Sequence, residues 1–290
     1  AAIFVADHGV AADNSVTPWP QSITARMADL IVDGNAAVSV LARNSDVYLE
    51  VINLGTVSKT HSISVRNETI STGTLDFRQE EAMSESQLNQ ALEVGAETAE
   101  RLIAGGSRSI SIGEVGIGNT TSSAILIGMF CGASAAEVTG RGSGIPDEVF
   151  NSKLLVVADQ IGKLSSKEDP LKILRHFGGF ELAAMVGLIV RSASLNIPVI
   201  LDGVTTLASA LVAVAIKPEV RDSMLLGHLS SEPASKIAAE NLNLKPILDL
   251  DLRLGEGTGA ILSVPIIRAA CRLHAEMSPL SDVANLDSSS

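Results

Sequence analysis

The sequence predicts an α/β fold, with a Rossmann-like, mainly parallel sheet flanked by helices. Three observations predict it. Short β-rich runs recur along the chain, longer stretches of helical spacing separate them, and the loops after several of the runs are rich in glycine. That alternation gives parallel strands joined by helical crossovers, and ligands of such folds gather outside the carboxyl ends of the strands. The 290 residues, 46% hydrophobic and 3% aromatic, suffice for one sizeable domain or a domain with a smaller companion. Extended disorder is excluded by the same apolar content.

Taken in order, the first strand is Ile3–Ala6, an apolar run without the basic start of a signal peptide. Further strands are expected at Val47–Ile52, Ser109–Ile112, Pro198–Leu201, Ser223–Leu226 and Ile247–Leu250. Between them, Ser84 to Ile103 has helical period, with Ser84 and Gln87 spaced as a capping box and Gly105-Gly106 as a stop. Glu181 to Ser194, Thr205 to Ile216 and Thr258 to His274 are helices rich in Ala and Leu. Their alanines allow close approach to the sheet or to one another. The polar segment from Gly55 to Met83 lacks periodicity and reads as a functional or a flexible loop. The last residues, Ser281–Ser290, read as a frayed tail. The chain opens without an initiator Met, which points to processing or to a missing upstream segment.

Charge and composition exclude several function classes. Lys and Arg number 21 against 33 Asp and Glu, a net charge of −12 that opposes attraction to nucleic-acid phosphates or acidic lipid. The few aromatics form no stacking row. No apolar run reaches the ~20 residues that span a bilayer, so neither nucleic acid nor membrane is an expected partner. Cys131 and Cys271 make no disulfide framework, and no Cys/His cluster has metal-binding spacing. A reducing, cytoplasmic setting follows, with no metal and no cofactor.

Three loops are candidates for chemistry. Gly113-Glu114-Val115-Gly116-Ile117-Gly118-Asn119-Thr120-Thr121 is a glycine-rich turn between a strand and a helix of small residues. Its glycines and free helix-start N–H groups suit a phosphate, and a plain strand-to-helix turn has the same spacing. Glu114 beside such a cradle suits a ribose hydroxyl, or is a solvated loop acid. The Gly140-Arg141-Gly142-Ser143-Gly144 loop can close over a ligand, and Lys153 on the next helical segment can neutralise a phosphate or simply be solvated. Ser230 is a ligand residue or a helix N-cap. In Arg253-Leu254-Gly255-Glu256-Gly257-Thr258-Gly259 a lone carboxylate stands between glycines. In an apolar cleft it would resist ionisation and serve as a general base; on a solvated turn it would be an exposed acid. His8, next to Asp7 at the end of the first strand, is either a ligand-orienting group or the partner in a structural hydrogen bond.

Together these loops resemble the nicotinate-nucleotide:dimethylbenzimidazole phosphoribosyltransferase (CobT) family. The resemblance spans nearly the whole chain. It rests on Val5-Ala6-Asp7-His8-Gly9-Val10, Pro20-Gln21-Ser22-Ile23-Thr24, Gly113 to Thr121, Gly178-Gly179-Phe180-Glu181-Leu182-Ala183-Ala184-Met185, Leu201-Asp202-Gly203 and Arg253 to Ala260, in that order. It implies a large α/β domain at roughly 40–255, a smaller helical domain from parts of 10–40 and 256–282, and a homodimer. It implies transfer of phosphoribose from nicotinate mononucleotide to 5,6-dimethylbenzimidazole, giving α-ribazole 5′-phosphate and nicotinate in cobalamin lower-ligand assembly. By position in these motifs, Glu256 is the catalytic base. Glu114 and Gly116 lie in the nucleotide loop, Lys153, Ser230 and Gly257 near the phosphoribosyl group, and Trp19, Gln21 and Met27 in the region of the aromatic acceptor. Thr17 and Pro20 belong to that region too. Adenine, another benzimidazole or a phenol are alternative acceptors, and a non-catalytic ribazole or nucleotide binder, or a partner subunit, is the alternative outside the enzymes. Members of the family carry a helical segment upstream of the strand that opens this chain.

Overall fold

The computed structural model describes residues 1–281. In chain order its elements are β1 (Ala2–Ala6), α1 (Ser22–Val32), α2 (Ala37–Asn44), β2 (Glu50–Gly55), β3 (Arg66–Asn67), α3 (Glu85–Ala104), β4 (Ile110–Val115), α4 (Asn119–Cys131), α5 (Ala135–Val138), α6 (Asp147–Gln160), α7 (Pro170–Phe177), α8 (Phe180–Ser194), β5 (Val199–Leu201), α9 (Val204–Ile216), β6 (Met224–Leu229), α10 (Pro233–Asn241), β7 (Pro246–Asp249) and α11 (Thr258–Glu276). The strands form one parallel sheet in the order β3-β2-β1-β4-β5-β6-β7. The order reverses between β1 and β4, and that point is where an open sheet of this kind leaves a crevice.

The sheet is buried on both faces, which is why its central strands read as unbroken apolar runs. Along β1, Ala2, Phe4 and Ala6 pack into one core cluster with α3, α4, α8 and α9, while Ile3 and Val5 pack into the other with Ala28 and Ile31 of α1, Val38 and Ala42 of α2, and Ile261 of α11. The period-2 alternation of a strand thus divides the protein into two helical layers. The helices of the second layer, α1, α2 and α11, span residues 22–44 and 258–276.

The expected strands and helices recur within a few residues of their sequence positions, and the Ser84–Gln87 capping box is formed in full. The second strand starts later than Val47, because Val47 and Leu49 turn inward against the cluster under α1 and α2. The Gly55–Met83 segment is neither open nor part of the cavity described below. Its Phe77, Ala82 and Met83 are buried, the Thr74 N–H donates to the Asp7 carbonyl, and Val57 N–H donates to the Asp7 carboxylate. Of the predicted tail, residues 282–290 lie outside the described residues.

The alanine-rich helices do approach closely, and glycine makes the closest contact. A Cβ on Gly95 of α3 would stand 1.8 Å from the Ala184 carbonyl oxygen of α8, and one on Gly187 of α8 would stand 2.0 Å from the Leu92 carbonyl oxygen of α3. Alanine favours a helix over glycine by ~1 kcal/mol, but here it forces two backbones apart at a cost of roughly 3 kcal/mol. Gly95→Ala is therefore expected to lower the melting temperature by about 5–10 °C, as calorimetry would read it.

Candidate active site

The carboxyl ends of β4, β5 and β6, with residues 16–19, the start of α1 and the loops at 140–145 and 253–256, enclose a cavity of about 350 Å³. Its floor is the turn after β4. Gly116 is required there by close approach: a Cβ would sit 2.6 Å from the Ala6 carbonyl oxygen and 3.1 Å from Oε1 of Glu181. Gly118 then takes a left-handed φ of 101° to start α4. Beneath the turn, Nε2 of His8 meets Oε1 of Glu181 at 2.5 Å and Nδ1 faces Ser122 Oγ at 3.1 Å, all buried. His8 has this structural pairing and does not line the cavity.

Glu114 lines the cavity, with the Asn119 amide donating to its Oε2. Burial pushes its carboxyl up to about 8, and the charges of Glu181, Asp202 and Glu256 add to the shift. Glu256 faces the same space from the loop before α11. Its φ of 63° lies between 76° for Gly255 and 79° for Gly257, three successive left-handed residues. Burial, and then the charge of Asp202, raise the Glu256 carboxyl to about 7. The loop can settle against β4 only because Gly113 lacks a side chain, since a Cβ there would lie 2.3 Å from Gly257 N. Glu256 is thus half-buried against the cavity, and the exposed-acid alternative does not hold.

Lys153 lines the same cavity and is 1% exposed, with Nζ donating to Thr120 Oγ1 at 2.8 Å and to the Gly140 carbonyl at 3.1 Å. Burial lowers its ammonium to about 8, opposed by Glu232. Glu232 accepts from Gly142 N–H at 2.9 Å and so ties down the glycine loop. Ser230 lines the cavity, and its Oγ accepts from Glu232 N–H at 3.3 Å; the N-cap of α10 is Glu232, so the N-cap alternative for Ser230 does not hold. Trp19, Met27 and Ile23 form an apolar wall. Of the residues singled out from sequence, Gln21 and Gly257 stand behind the lining, and Pro20 is exposed outside it. Gln21 donates to the His8 carbonyl at 2.9 Å, and Gly257 N–H donates to Asp202 at 3.1 Å.

Sequence reasoning did not single out Asp202, Arg141, His228, Glu232 or Asn119 as site residues. Asp202 had a signal: an acid followed by glycine directly after an apolar strand, and Glu256 is likewise an acid followed by glycine. Arg141 lies within a loop already marked as able to close, and its guanidinium stacks on Phe150 at 4.7 Å. Glu232 and His228 had none, because their positions depend on a fold that brings β6 beside the 140–145 loop. Among the described residues, no group of three or more His, Cys, Asp or Glu side chains is arranged for a metal ion, and no helix is long and apolar enough to cross a membrane.

This constellation has counterparts. A family model described as a phosphoribosyltransferase (DBI_PRT) matches residues 1–284. The chain belongs to that family. This phosphoribosyltransferase is 39% identical over 287 residues to the nicotinate-nucleotide–dimethylbenzimidazole phosphoribosyltransferase of a Pseudomonas putida strain, covering 98% of this chain and 82% of the relative. To the enzyme of the same name from Salinispora tropica it is 37% identical over 303 residues, covering 99% and 81%. Two crystal structures from Thermus thermophilus share the fold. One, of CobT, superposes with a TM-score of 0.90 at 36% identity and covers 94% of this chain and 82% of that one. The other, of the dimethylbenzimidazole phosphoribosyltransferase, gives 0.91 at 35% identity and covers 98% and 84%.

Proposed function

We propose that this phosphoribosyltransferase moves the phosphoribosyl group of nicotinate mononucleotide to 5,6-dimethylbenzimidazole, yielding α-ribazole 5′-phosphate and nicotinate, the step that prepares the lower ligand of cobalamin. The observation that carries the reading is Glu256, a carboxyl whose proton affinity is raised towards neutral pH, lining the same cavity as a buried ammonium. Lys153 and Ser230 take the phosphate, Gly116 lets the sugar lie close to the backbone, and Trp19 and Met27 flank the flat acceptor ring. The smaller domain of this reading is the layer of α1, α2 and α11.

Glu256 removes the N–H proton of the benzimidazole. The electron density released allows the other ring nitrogen to attack C1′, while the bond from C1′ to the nicotinate nitrogen breaks and its electron pair neutralises the pyridinium. No acid is needed for that departure, so a single base suffices. The sugar gathers positive charge as the bond breaks. Before the nucleotide arrives, Glu114 keeps its proton at pH 7 and can donate to a ribose hydroxyl. The arriving pyridinium and the developing charge on the sugar favour its ionised form.

Incubating the protein with nicotinate mononucleotide and a panel of dimethylbenzimidazole, adenine, other benzimidazoles and phenol tests the reading by chromatography of the nucleotide product. Turnover greatest with dimethylbenzimidazole supports it, and no product with any acceptor defeats it. The pH profile has a definite sign. The base must be deprotonated, so activity is expected to rise about fivefold or more from pH 6 to a maximum between pH 7 and pH 8 as Glu256 loses its proton. It is expected to fall on the alkaline side of that maximum as Lys153 loses its charge. The exposed Ile266, Leu273, Met277 and Leu280 on and just beyond α11 support a homodimer. The free Cys131 and Cys271 fit a reducing cytoplasm.

A further inference from the structure

Asp202 stands just past the end of β5 and is 1% exposed. Its Oδ1 accepts from Gly259 N–H at 2.7 Å and from Ala260 N–H at 3.0 Å, and its Oδ2 accepts from Gly257 N–H at 3.1 Å. These are donors that the first turn of a helix leaves unpaired. The N-cap residue of α11, Gly257, has no side chain to take them, so a carboxylate 55 residues earlier in the chain does so instead. Three bonds fix the backbone immediately after Glu256. A non-glycine residue in the left-handed region costs about 1–3 kcal/mol and persists only where its surroundings over-determine it. At Glu256 the surroundings that do so are the Asp202 bonds and the contact with Gly113.

We propose that Asp202 is the positioning residue for Glu256, holding the 255–257 loop in the left-handed course that aims the Glu256 carboxylate into the cavity. The inference rests on the reading of Glu256 as the general base. Asp202 acts on that carboxylate in a second way, because its charge is the one that, after burial, raises the proton affinity of Glu256. The charged and titratable groups that line the cavity with Glu256 are Asp202 after β5, Glu114 on β4, His228 on β6, Arg253 in the same loop, Arg141 in the 140–145 loop, Lys153 on α6 and Glu232 before α10. His228 Nε2 lies 3.4 Å from Asp202 Oδ1 and is its nearest side-chain partner among the described residues.

The test is the pH profile of kcat together with KM for nicotinate mononucleotide in Asp202→Asn, Asp202→Glu and Glu256→Gln. In Asp202→Asn one acceptor and the charge are lost. Its plateau kcat is expected to fall about tenfold or more, its rising limb to move to lower pH by roughly 0.5–1 unit, and its KM to stay within about threefold. In Asp202→Glu the charge remains but the longer arm misses the three N–H groups, so kcat falls while the limb stays in place. That variant carries the test if Asp202→Asn does not fold. A purely structural role would not move the limb. An Asp202→Asn enzyme with unaltered kcat and limb, alongside an inactive Glu256→Gln, overturns this inference and leaves the base intact. A fully active Glu256→Gln removes both.

Discussion

Glu256→Gln is expected to lower kcat by about 10²–10⁴-fold, the contribution of a positioned general base. Gln keeps the length and the hydrogen-bonding oxygen but cannot accept the acceptor's proton at neutral pH. Calorimetric titration with nicotinate mononucleotide is expected to give an unchanged affinity, because Lys153 and Ser230, the groups assigned to the phosphate, are left in place. The pH dependence should change as well, since the limb near pH 7 belongs to the missing carboxylate. If turnover in the variant matches that of the parent, another group removes the proton.

Lys153→Met is expected to act on binding instead. Nζ already uses two N–H bonds on Thr120 and Gly140, which leaves one for a ligand oxygen. A buried, charge-assisted bond to phosphate contributes about 1.5–3 kcal/mol, so KM for nicotinate mononucleotide should rise about 10- to 100-fold. Methionine fills most of the buried stem, and the variant should retain its fold. Unchanged affinity would mean that Lys153 serves only to tie the glycine loop to α4.

Much of this architecture is visible in the chain because burial on both faces of the sheet writes continuous apolar runs, and because turns under β-strand ends demand glycine. Gly113, Gly116, Gly255 and Gly257 are all dictated by approach distance or backbone sign, which is why the loops could be chosen before their geometry was known. β3 could not be seen in this way. Arg66 and Asn67 are exposed and polar and form a strand only because Ile52 and Asn53 offer them partners. The burial of Lys153 was equally hidden, since a lysine on a helix gives no local sign that Thr120 and Gly140 will enclose it. Asp202 was visible as part of a motif, yet its purpose was not, because the three N–H groups that it takes lie 55 to 58 residues further along.

The place of β1 in the sheet has a consequence for synthesis. Ala2 pairs with Glu50 on one side and with Ile112 on the other, so this apolar ribbon leaves the ribosome long before either neighbour exists. Until β4 has emerged, one edge of the nascent segment stays uncovered, and non-local parallel pairing is intrinsically slow. The growing polypeptide is therefore most prone to clumping between the emergence of β1 and that of β4, the interval in which chaperone binding would matter most.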